Sequence, residues 1–197
     1  TEYWVGGVIK EISQGSSLGA SPDSAKATTG RQGKTLEILD IFAGSGCIGL
    51  AVLKHCPGIK MTFADKEEKC TKQIKKNLKL NKLTAKVKLS NLFSTINKKF
   101  DIIFANPPYI PLKGQRVARS VQDWEPSTAL YGGDSGLVVI EEFLKQAQSY
   151  LKPRGKIYLE FGFGQKMAME KILRKFEYKN WQFHKDQFGK FRWVVVE

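Results

Sequence analysis

The chain has 197 residues, 42% of them apolar and 11% aromatic, and is long enough for one domain with a full core. No stretch reaches the roughly 18 uninterrupted apolar residues of a transmembrane helix, so none is expected. Three cysteines and two histidines match no zinc pattern, and the adjacent His55 and Cys56 suit the end of a helix better than a catalytic dyad. We therefore expect no metal site, and free thiols in a reducing compartment.

Net charge bears on the partners of the chain. Lys and Arg number 32 against 19 Asp and Glu, which gives +13 and a pI of about 9.6. Such a charge favours polyanionic surroundings such as RNA, ribosome-like surfaces or DNA. Much of it lies in residues 66–88, where lysines interleave with apolar residues at helical spacing. A solvated helix face explains that pattern equally well, so charge alone does not identify a nucleic-acid-binding protein.

The N-terminal region contains two different kinds of segment. The first residue is Thr1 rather than Met and no signal peptide follows, so we expect a fragment or processed form with any targeting segment upstream. Residues 2–14 carry apolar side chains near helical spacing. Residues 15–35 are rich in Gly, Ser, Ala and Thr and contain almost no large apolar residue, which predicts a flexible surface loop.

From residue 36 onward the pattern predicts alternating strands and helices. The predicted strands cover residues 36–42, 60–64, 85–89, 100–105 and 155–161. The predicted helices cover residues 47–55, 67–81, 135–151 and 165–176. Residues 181–185 and 191–196 read as an antiparallel pair, and residues 106–134 as a long irregular stretch of the kind that often carries function. This alternation predicts an α/β fold with an open, doubly wound, mostly parallel sheet.

The most informative motif is Asn106-Pro-Pro-Tyr109, directly after the predicted fourth strand. An amide, two prolines and an aromatic ring suit a planar nitrogen with two hydrogens, such as an amide or an exocyclic base amine. Asn106 Oδ1 and a proline carbonyl can accept those hydrogens, and Tyr109 can lie against the flat face. Neither proline has an N–H, so the loop offers acceptors without competing donors. The alternative is a rigid proline turn without a ligand.

A glycine-rich turn follows the first predicted strand. Gly44, Gly46 and Gly49 allow a tight turn and a close approach of the backbone to a ligand. The spacing alone is shared with dinucleotide-binding enzymes, and close packing without a ligand would also explain it. Asp40 precedes the glycines, where a carboxylate can reach a cationic or amino-acid group, and Ala43 precedes Gly44. These two features favour the methionine part of S-adenosylmethionine over a pyrophosphate.

Two further strand ends carry candidate cofactor residues. Asp65 ends the second strand and can accept both hydroxyls of a ribose, although it is also a good N-cap for the helix that follows. Asn91 follows the third strand and can meet the adenine amino group, with Leu92 or Phe93 against the ring; a turn asparagine is the alternative. Ligands bind at the carboxyl ends of strands in such sheets, so Asn106 would meet the cofactor there.

Together these residues carry a family resemblance. The ordered set Asp40-x-x-x-Gly44-x-Gly46, Asp65 and Asn106-Pro-Pro-Tyr109 resembles a class I S-adenosylmethionine-dependent methyltransferase. That resemblance implies a Rossmann-like sheet, mostly parallel with an antiparallel C-terminal strand. The tetrapeptide resembles the branch of the family that methylates amino groups, whose targets are adenine N6, guanine N2 or glutamine N5.

A second stretch narrows the resemblance. Residues 123–137, with Glu125-Pro, Ala129-Leu and Gly132-Gly133, resemble the HemK-like protein-glutamine methyltransferases, and Thr1-Glu2 resembles the end of a Pro-Arg-x-Glu-Thr-Glu segment of that family. Those enzymes methylate the glutamine of the Gly-Gly-Gln loop in peptide-chain release factors. The resemblance implies one catalytic domain over residues 1–197, acting as a monomer of the bacterial or mitochondrial type. Strong basicity favours mitochondria, with the cytoplasm as the alternative.

The chain departs from the family in three respects. Asn91 stands where the family usually has Asp, the N-terminal helical domain of the family is absent, and the loop at residues 15–35 is longer than usual. The first departure bears on the adenine contact, and the second bears on docking of the release factor.

The resemblance assigns roles residue by residue. The implied catalytic residues are Asn106, Pro107 and Tyr109. The implied cofactor residues are Asp40, Ala43, Gly44, Gly46, Asp65, Asn91 and Asn106. The implied substrate residues are Asn106, Pro107, Pro108, Tyr109 and Glu125. We expect the glutamine amide nitrogen to attack the sulfonium methyl directly, oriented by Asn106 Oδ1 and the Pro107 carbonyl. Glu125 either shapes the substrate loop or forms a structural salt bridge.

Three alternatives remain open at this point. A nucleic-acid amino-methyltransferase acting on adenine or guanine shares the tetrapeptide and fits the net charge, although no appended target-recognition domain is visible. A non-enzymatic module with a vestigial cofactor pocket would retain the same motifs. A nucleotide-dependent dehydrogenase would explain the glycine turn but not the tetrapeptide.

Overall fold

The computed structural model describes residues 2–13, 35–112 and 132–197. Its strands are β1 (Glu37–Ile41), β2 (Lys60–Asp65), β3 (Lys86–Leu89), β4 (Phe100–Ala105), β5 (Leu151–Glu160), β6 (Trp181–Lys185) and β7 (Phe191–Val196). Its α-helices are α1 (Glu2–Ser13), α2 (Cys47–His55), α3 (Glu68–Leu80), α4 (Val138–Ala147) and α5 (Lys166–Lys175), and a short 3₁₀ helix (Gln148–Tyr150) follows α4. Most of the predicted 15–35 loop, and Glu125, lie outside the described residues.

The strands form one seven-stranded sheet in the order β3-β2-β1-β4-β5-β7-β6. Strands β1 to β5 are parallel to one another, whereas β7 is antiparallel to both β5 and β6. The predicted fold class, a mostly parallel sheet with an antiparallel C-terminal strand, is confirmed. The chain moves outward from β1 to β3 and then returns to place β4 on the other side of β1. The switch point therefore lies between β1 and β4, which is where ligands bind in sheets of this type.

Both faces of the sheet are covered, which explains why its central strands are mostly apolar. Alternate residues of a strand point to opposite faces, so Ile38 and Ile102 belong to one buried cluster while Leu39 and Ile103 belong to the other. The first cluster includes side chains of α1, α2 and α3, and the second includes those of α4 and α5. Helices on both faces fix the register and hence the position of each strand end.

The predicted boundaries fail at one place, around the start of β5. The helix predicted over residues 135–151 is shorter, and the strand predicted over residues 155–161 begins earlier, at Leu151. Phe100 pairs with Leu151 whereas Ile102 pairs with Lys156, so β5 carries extra residues opposite β4. Arg154, among these extra residues, adopts a left-handed conformation with φ 65°. Because it is charged, it also breaks the apolar pattern from which a strand is recognised in the sequence.

No helix in the described part of the chain combines the length and hydropathy that a membrane span requires. The three cysteines are free thiols. Across residues 2–13, 35–112 and 132–197, no three His, Cys, Asp or Glu side chains are grouped so that they could hold a metal ion.

Gly49 in α2 generates a prediction about packing. A Cβ at this position would lie 2.4 Å from Phe63 Cε1 and 2.9 Å from Asp40 Oδ2. We expect Gly49→Ala to lower the free energy of unfolding by about 1–3 kcal/mol, because the core must shift to admit a methyl group. Gly6→Ala in α1 is the matched control, since its Cβ would meet nothing within 4 Å. Urea denaturation should show no loss for Gly6→Ala, and equal stability of the two variants would contradict the packing argument.

Candidate active site

A cleft with about 560 Å³ of empty volume lies at the carboxyl ends of β1 to β4. It is lined by Ile41, Phe42, Gly44, Asp65, Lys66, Glu67, Cys70, Ser90, Asn91, Leu92, Asn106 and Pro108. Gly44, Asp65, Asn91 and Asn106, which four different strand ends were predicted to supply, therefore line one cleft at the switch point of the sheet.

A larger cavity lies elsewhere, between α1 and the β6–β7 pair, and Glu11, Lys156 and Trp193 are among its lining residues. None of the predicted site residues lines it. The cleft at the strand ends is therefore the candidate site, because it gathers the predicted residues and the larger cavity does not.

The glycine turn after β1 is built from two glycines with different tasks. Gly44 and Gly46 have φ values of 56° and 82°, in the left-handed region that favours glycine. A Cβ on Gly46 would lie 3.2 Å from Ile74 Cγ1, so this glycine permits close packing. A Cβ on Gly44 would meet nothing within 4 Å, so this residue leaves open space on the cleft side. Ala43 is buried beneath the turn, and its carbonyl accepts a hydrogen bond of 2.7 Å from the Gly46 N–H.

The Asp65 carboxylate connects the glycine turn to the start of α3. Its Oδ2 accepts a hydrogen bond of 2.8 Å from the Gly44 N–H, and its Oδ1 accepts one of 2.9 Å from the Glu67 N–H. The N-cap residue of α3 is Glu67, so Asp65 is not the cap itself. Each carboxylate oxygen has two lone pairs, so both retain capacity for ribose hydroxyls. The ribose role remains a prediction that this position in the cleft fits.

Asp40 lies below the cleft instead of lining it. Its side chain is 1% exposed, and Oδ2 accepts a hydrogen bond of 2.9 Å from the Gly49 N–H in the first turn of α2. Oδ1 is buried without a hydrogen-bond partner. Burial raises the pKa of the Asp40 carboxyl from 3.8 to about 7, with a smaller contribution from the negative charge of Asp65. The contact of Asp40 with a methionine group remains a prediction.

Asn91 and its neighbours form a turn at the end of β3. The Asn91 carbonyl accepts a hydrogen bond of 3.1 Å from the Ser94 N–H, which matches the expectation of a turn asparagine, yet Asn91 also lines the cleft. Leu92 lines the cleft as well and has φ 49°. Phe93 is not an adenine-stacking candidate here, because its ring stacks on Tyr150 at 4.2 Å between centroids inside the core. Leu92 is therefore the apolar residue available to a planar ring.

The tetrapeptide after β4 divides between the cleft and the core. Asn106 and Pro108 line the cleft, and Pro107 is buried. The Tyr109 hydroxyl donates a hydrogen bond of 3.1 Å to Glu160 Oε1 at the end of β5. Burial, followed by the negative charge of Glu160, raises the pKa of Tyr109 to about 12, so the phenol stays a donor at neutral pH. That the Tyr109 ring lies against the flat face of the acceptor group remains a prediction. The observed contact fixes its hydroxyl.

The chain returning at residue 132 lies against the tetrapeptide. The Gly132 N–H donates to the Ile110 carbonyl at 2.9 Å, and the Leu112 N–H donates to the Gly133 carbonyl at 3.1 Å. A Cβ on Gly132 would lie 2.5 Å from the Pro108 carbonyl oxygen, and one on Gly136 would lie 2.3 Å from that of Tyr109. Gly132 and Gly136 are thus explained by the close approach of two backbones.

Sequence reasoning missed two buried polar residues next to this loop, Glu160 and Gln165. Glu160 ends β5, and Gln165 precedes α5. The available signal was a carboxylate closing an otherwise apolar strand, followed by a glutamine after the glycines at 162 and 164. Polar residues at such positions are buried only when they have partners.

Solved structures with the same fold are methyltransferases. The Thermus thermophilus 16S rRNA N2 G1207 methyltransferase, in complex with AdoMet and guanosine, matches with a TM-score of 0.60 at 20% identity, over 82% of this chain and 37% of that one. The ribosomal protein L11 methylase of Lactobacillus delbrueckii matches with a TM-score of 0.57 at 18% identity, over 84% and 69%. The family model for the methyltransferase small domain matches residues 26–122. The fold is that of the class I, Rossmann-like methyltransferases.

Sequence relatives narrow the family. The release factor glutamine methyltransferase of Streptococcus pneumoniae is 38% identical over 164 residues, which cover 82% of this chain and 59% of that protein. The one from Lactococcus lactis is 33% identical over 165 residues, 83% and 61% respectively. The chain is thus a sequence relative of the release factor glutamine methyltransferases and spans about three-fifths of their length, which confirms the resemblance drawn from its motifs. These relatives are bacterial, so the mitochondrial location remains a prediction based on charge.

Asp40 generates a prediction about pH. The folded-state pKa, about 7, lies above the ordinary value of 3.8, so the folded protein binds this proton more tightly than the unfolded chain does. Stability should therefore fall as the pH rises from about 4 to about 7. Asp40→Asn keeps an acceptor for the Gly49 N–H and removes the pH dependence due to this carboxyl. In the native chain the carboxyl should lower the free energy of unfolding by about 2 kcal/mol between pH 5 and pH 7.

Urea denaturation at both pH values measures the effect, with Asp134→Asn on the exposed surface as the control. The difference in unfolding free energy between Asp40→Asn and the native chain should grow from pH 5 to pH 7. A difference that is the same at the two pH values would contradict a raised pKa of Asp40.

Proposed function

We propose that this chain is the catalytic part of an S-adenosylmethionine-dependent methyltransferase that methylates the glutamine N5 of the Gly-Gly-Gln motif in a peptide-chain release factor. The observation that carries the proposal is the convergence of Asn106 with Gly44, Asp65 and Asn91 in one cleft. The kinship with release factor glutamine methyltransferases supports the same acceptor, and it favours a protein glutamine over a nucleobase.

The residues of the cleft fit S-adenosylmethionine. Asp65 presents a carboxylate for the ribose hydroxyls, Gly44 leaves open space at the turn, and Leu92 offers an apolar contact beside Asn91 for adenine. When bound, the cofactor supplies a methyl group made electrophilic by its sulfonium. A thiol, Cys70, also lines the cleft, and its pKa is raised by burial, so it stays neutral beside the cofactor.

Asn106 and Pro107 perform the remaining work on the acceptor. An amide nitrogen is a poor nucleophile because its lone pair is delocalised. Asn106 Oδ1 and the Pro107 carbonyl accept its two hydrogens, orient the nitrogen and share the positive charge that develops as it bonds to the methyl carbon. The nitrogen held in this way would take the methyl group of a bound cofactor, which would be left as a neutral sulfide, and the extra proton on the nitrogen would pass to water.

We further propose that the lysine-rich surface of α3 contacts a polyanion such as RNA, close to the site of methylation. Helix α3 and its flanks expose Lys66, Lys69, Lys72, Lys75, Lys76, Lys79, Lys82 and Lys86. Only Lys72 among these forms an ion pair within the described residues, with Glu68 at 3.0 Å. Because Lys66 also lines the cleft, this surface continues to the rim of the site.

Mass spectrometry tests the activity. The chain is incubated with S-adenosylmethionine and, in parallel, with an intact release factor, a Gly-Gly-Gln peptide and ribosomal RNA. A methyl group on the motif glutamine supports the proposal, whereas methylation of RNA alone would establish the nucleic-acid alternative.

Asn106→Ala should reduce turnover by about 10²- to 10³-fold with little change in cofactor affinity, because it removes an acceptor aimed at developing charge. Asp65→Ala is the comparison variant and should lower cofactor affinity first. Calorimetry with S-adenosylmethionine and single-turnover methylation separate the two effects. Near-normal turnover of Asn106→Ala would refute the role assigned to that side chain.

The polyanion contact is tested by salt dependence. Lys75, Lys76 and Lys79 are changed together to Gln, and the control changes Lys54, Lys145 and Lys171, which are exposed on other helices. The first variant should reduce the slope of log affinity for RNA against log salt by up to about 3, nearly one for each lost phosphate contact. Equal slopes for both triple variants would show that α3 is an ordinary solvated face.

A further inference from the structure

Two buried polar side chains hold Tyr109, one at its hydroxyl and the other at its backbone carbonyl. Neither of them takes part in the methylation mechanism proposed above. Glu160 is 4% exposed and Gln165 is 9% exposed. Burying a carboxylate and a carboxamide is costly unless they are hydrogen-bonded, so their contacts show what they hold in place.

Glu160 holds the side chain of Tyr109. Its Oε1 accepts a hydrogen bond of 3.1 Å from the Tyr109 hydroxyl, and its Oε2 accepts one of 3.1 Å from Trp4 Nε1. Trp4, in the first turn of α1, is itself buried and stacks on Tyr158 at 6.2 Å between ring centroids. The phenol is therefore tied through one carboxylate to a rigid part of the core.

Gln165 holds the backbone of Tyr109 and uses all of its side-chain groups to do so. Its Oε1 accepts a hydrogen bond of 2.7 Å from the Gly162 N–H. Its Nε2 donates to the Tyr109 carbonyl at 2.9 Å and to the Ser135 carbonyl at 3.3 Å. One amide thus joins the loop after β4, the returning 132–136 segment and the turn after β5.

The neighbouring glycines show that this arrangement is tightly built. A Cβ on Gly136 would lie 2.8 Å from Gln165 Nε2, and a Cβ on Gly162 would lie 2.8 Å from Gln165 Oε1. Side chains at these positions would displace the amide. The space around Gln165 therefore admits its hydrogen-bonding geometry and little else.

Pro107 and Pro108 transmit the fixed position of Tyr109 to Asn106. Each proline ring fixes φ near −65°, so the two-residue link between Asn106 and Tyr109 is stiff. On its other side, Asn106 follows directly after Ala105, the last residue of β4, which is fully buried in the sheet. With both ends held, the position of Asn106 Oδ1 has little freedom.

We propose that Glu160 and Gln165 are positioning residues, which hold Tyr109 at its hydroxyl and its carbonyl and thereby set the acceptor geometry of Asn106 and Pro107. The inference rests on the proposed function for its effect on catalysis. It concerns the residues behind the tetrapeptide, whereas Gly44, Asp65 and Asn91, which would hold the cofactor, lie on other strand ends. Loss of these hydrogen bonds to Tyr109 should therefore lower kcat and leave cofactor affinity unchanged.

Gln165→Met is the principal test, because methionine keeps the approximate length of the side chain and removes its hydrogen bonds. Gln148→Met is the matched control: Gln148 Nε2 also donates to a backbone carbonyl, that of Phe176, at 3.2 Å, but it lies before β5, at the opposite end from the site. We expect Gln165→Met to lower kcat by about 10- to 100-fold, the scale of a misplacement near 1 Å. The dissociation constant of Gln165→Met for S-adenosylmethionine should match that of the native chain. Gln148→Met should match the native chain in both kcat and this dissociation constant.

Hydrogen exchange of the backbone provides a readout that does not depend on activity. The backbone amides of Tyr109, Ile110 and Leu112 should exchange faster in Gln165→Met than in the native chain, while those of β1 and β2 should not. Unchanged exchange in residues 109–112 would overturn the proposal, and so would faster exchange with a normal kcat. If the native chain methylates no release factor, the proposed function fails, and the exchange rates alone then decide whether Gln165 fixes the loop.

A double-mutant cycle tests Glu160. Glu160→Gln and Tyr109→Phe each weaken the same contact, so their effects on kcat should not add in the double variant. Glu141→Gln, on the exposed face of α4, is the control and should add to Tyr109→Phe. Additive losses for Glu160→Gln and Tyr109→Phe would show that Glu160 does not act through Tyr109.

Discussion

The site depends on one constraint, the return of the chain from β3 to place β4 beside β1. Because parallel strands present their carboxyl ends at the same edge, this order gathers four strand ends around one cleft. The hydrogen bond of 2.8 Å from the Gly44 N–H to Asp65 Oδ2 then links the first two ends directly. A different strand order would leave the same motifs on separate parts of the surface.

Buried carboxylates have two different uses around this edge. Asp40 accepts one hydrogen bond, from the Gly49 N–H in the first turn of α2, and burial raises its pKa to about 7. Glu160 has donors on both oxygens and connects the loop after β4 to the core. The first arrangement costs stability as the pH rises, whereas the second stabilises a loop that must be held still. Both follow from placing a charge where water cannot reach it.

The kinship with release factor glutamine methyltransferases and the geometry of the cleft both support the proposal that the tetrapeptide is the acceptor loop. Neither depends on the large cavity beside α1, which none of the predicted residues lines. The chain covers about three-fifths of its relatives, so the docking of a whole release factor is a question for the intact proteins. The predicted residues that line the cleft are among the described residues, whereas Glu125 is not.

The sequence by itself determined the fold class, the helix at residues 47–55, the pair at residues 181–185 and 191–196, and the strand ends that line the cleft, because periodicity and turn residues are local signals. It did not determine the start of β5, where Arg154 and Gly155 interrupt the pattern. Only the tertiary structure decided that Asp40 lies under the cleft and that Tyr109 is held by Glu160 and Gln165. Those contacts join residues 51 and 56 positions apart, and no local pattern encodes which distant polar group a buried side chain will meet.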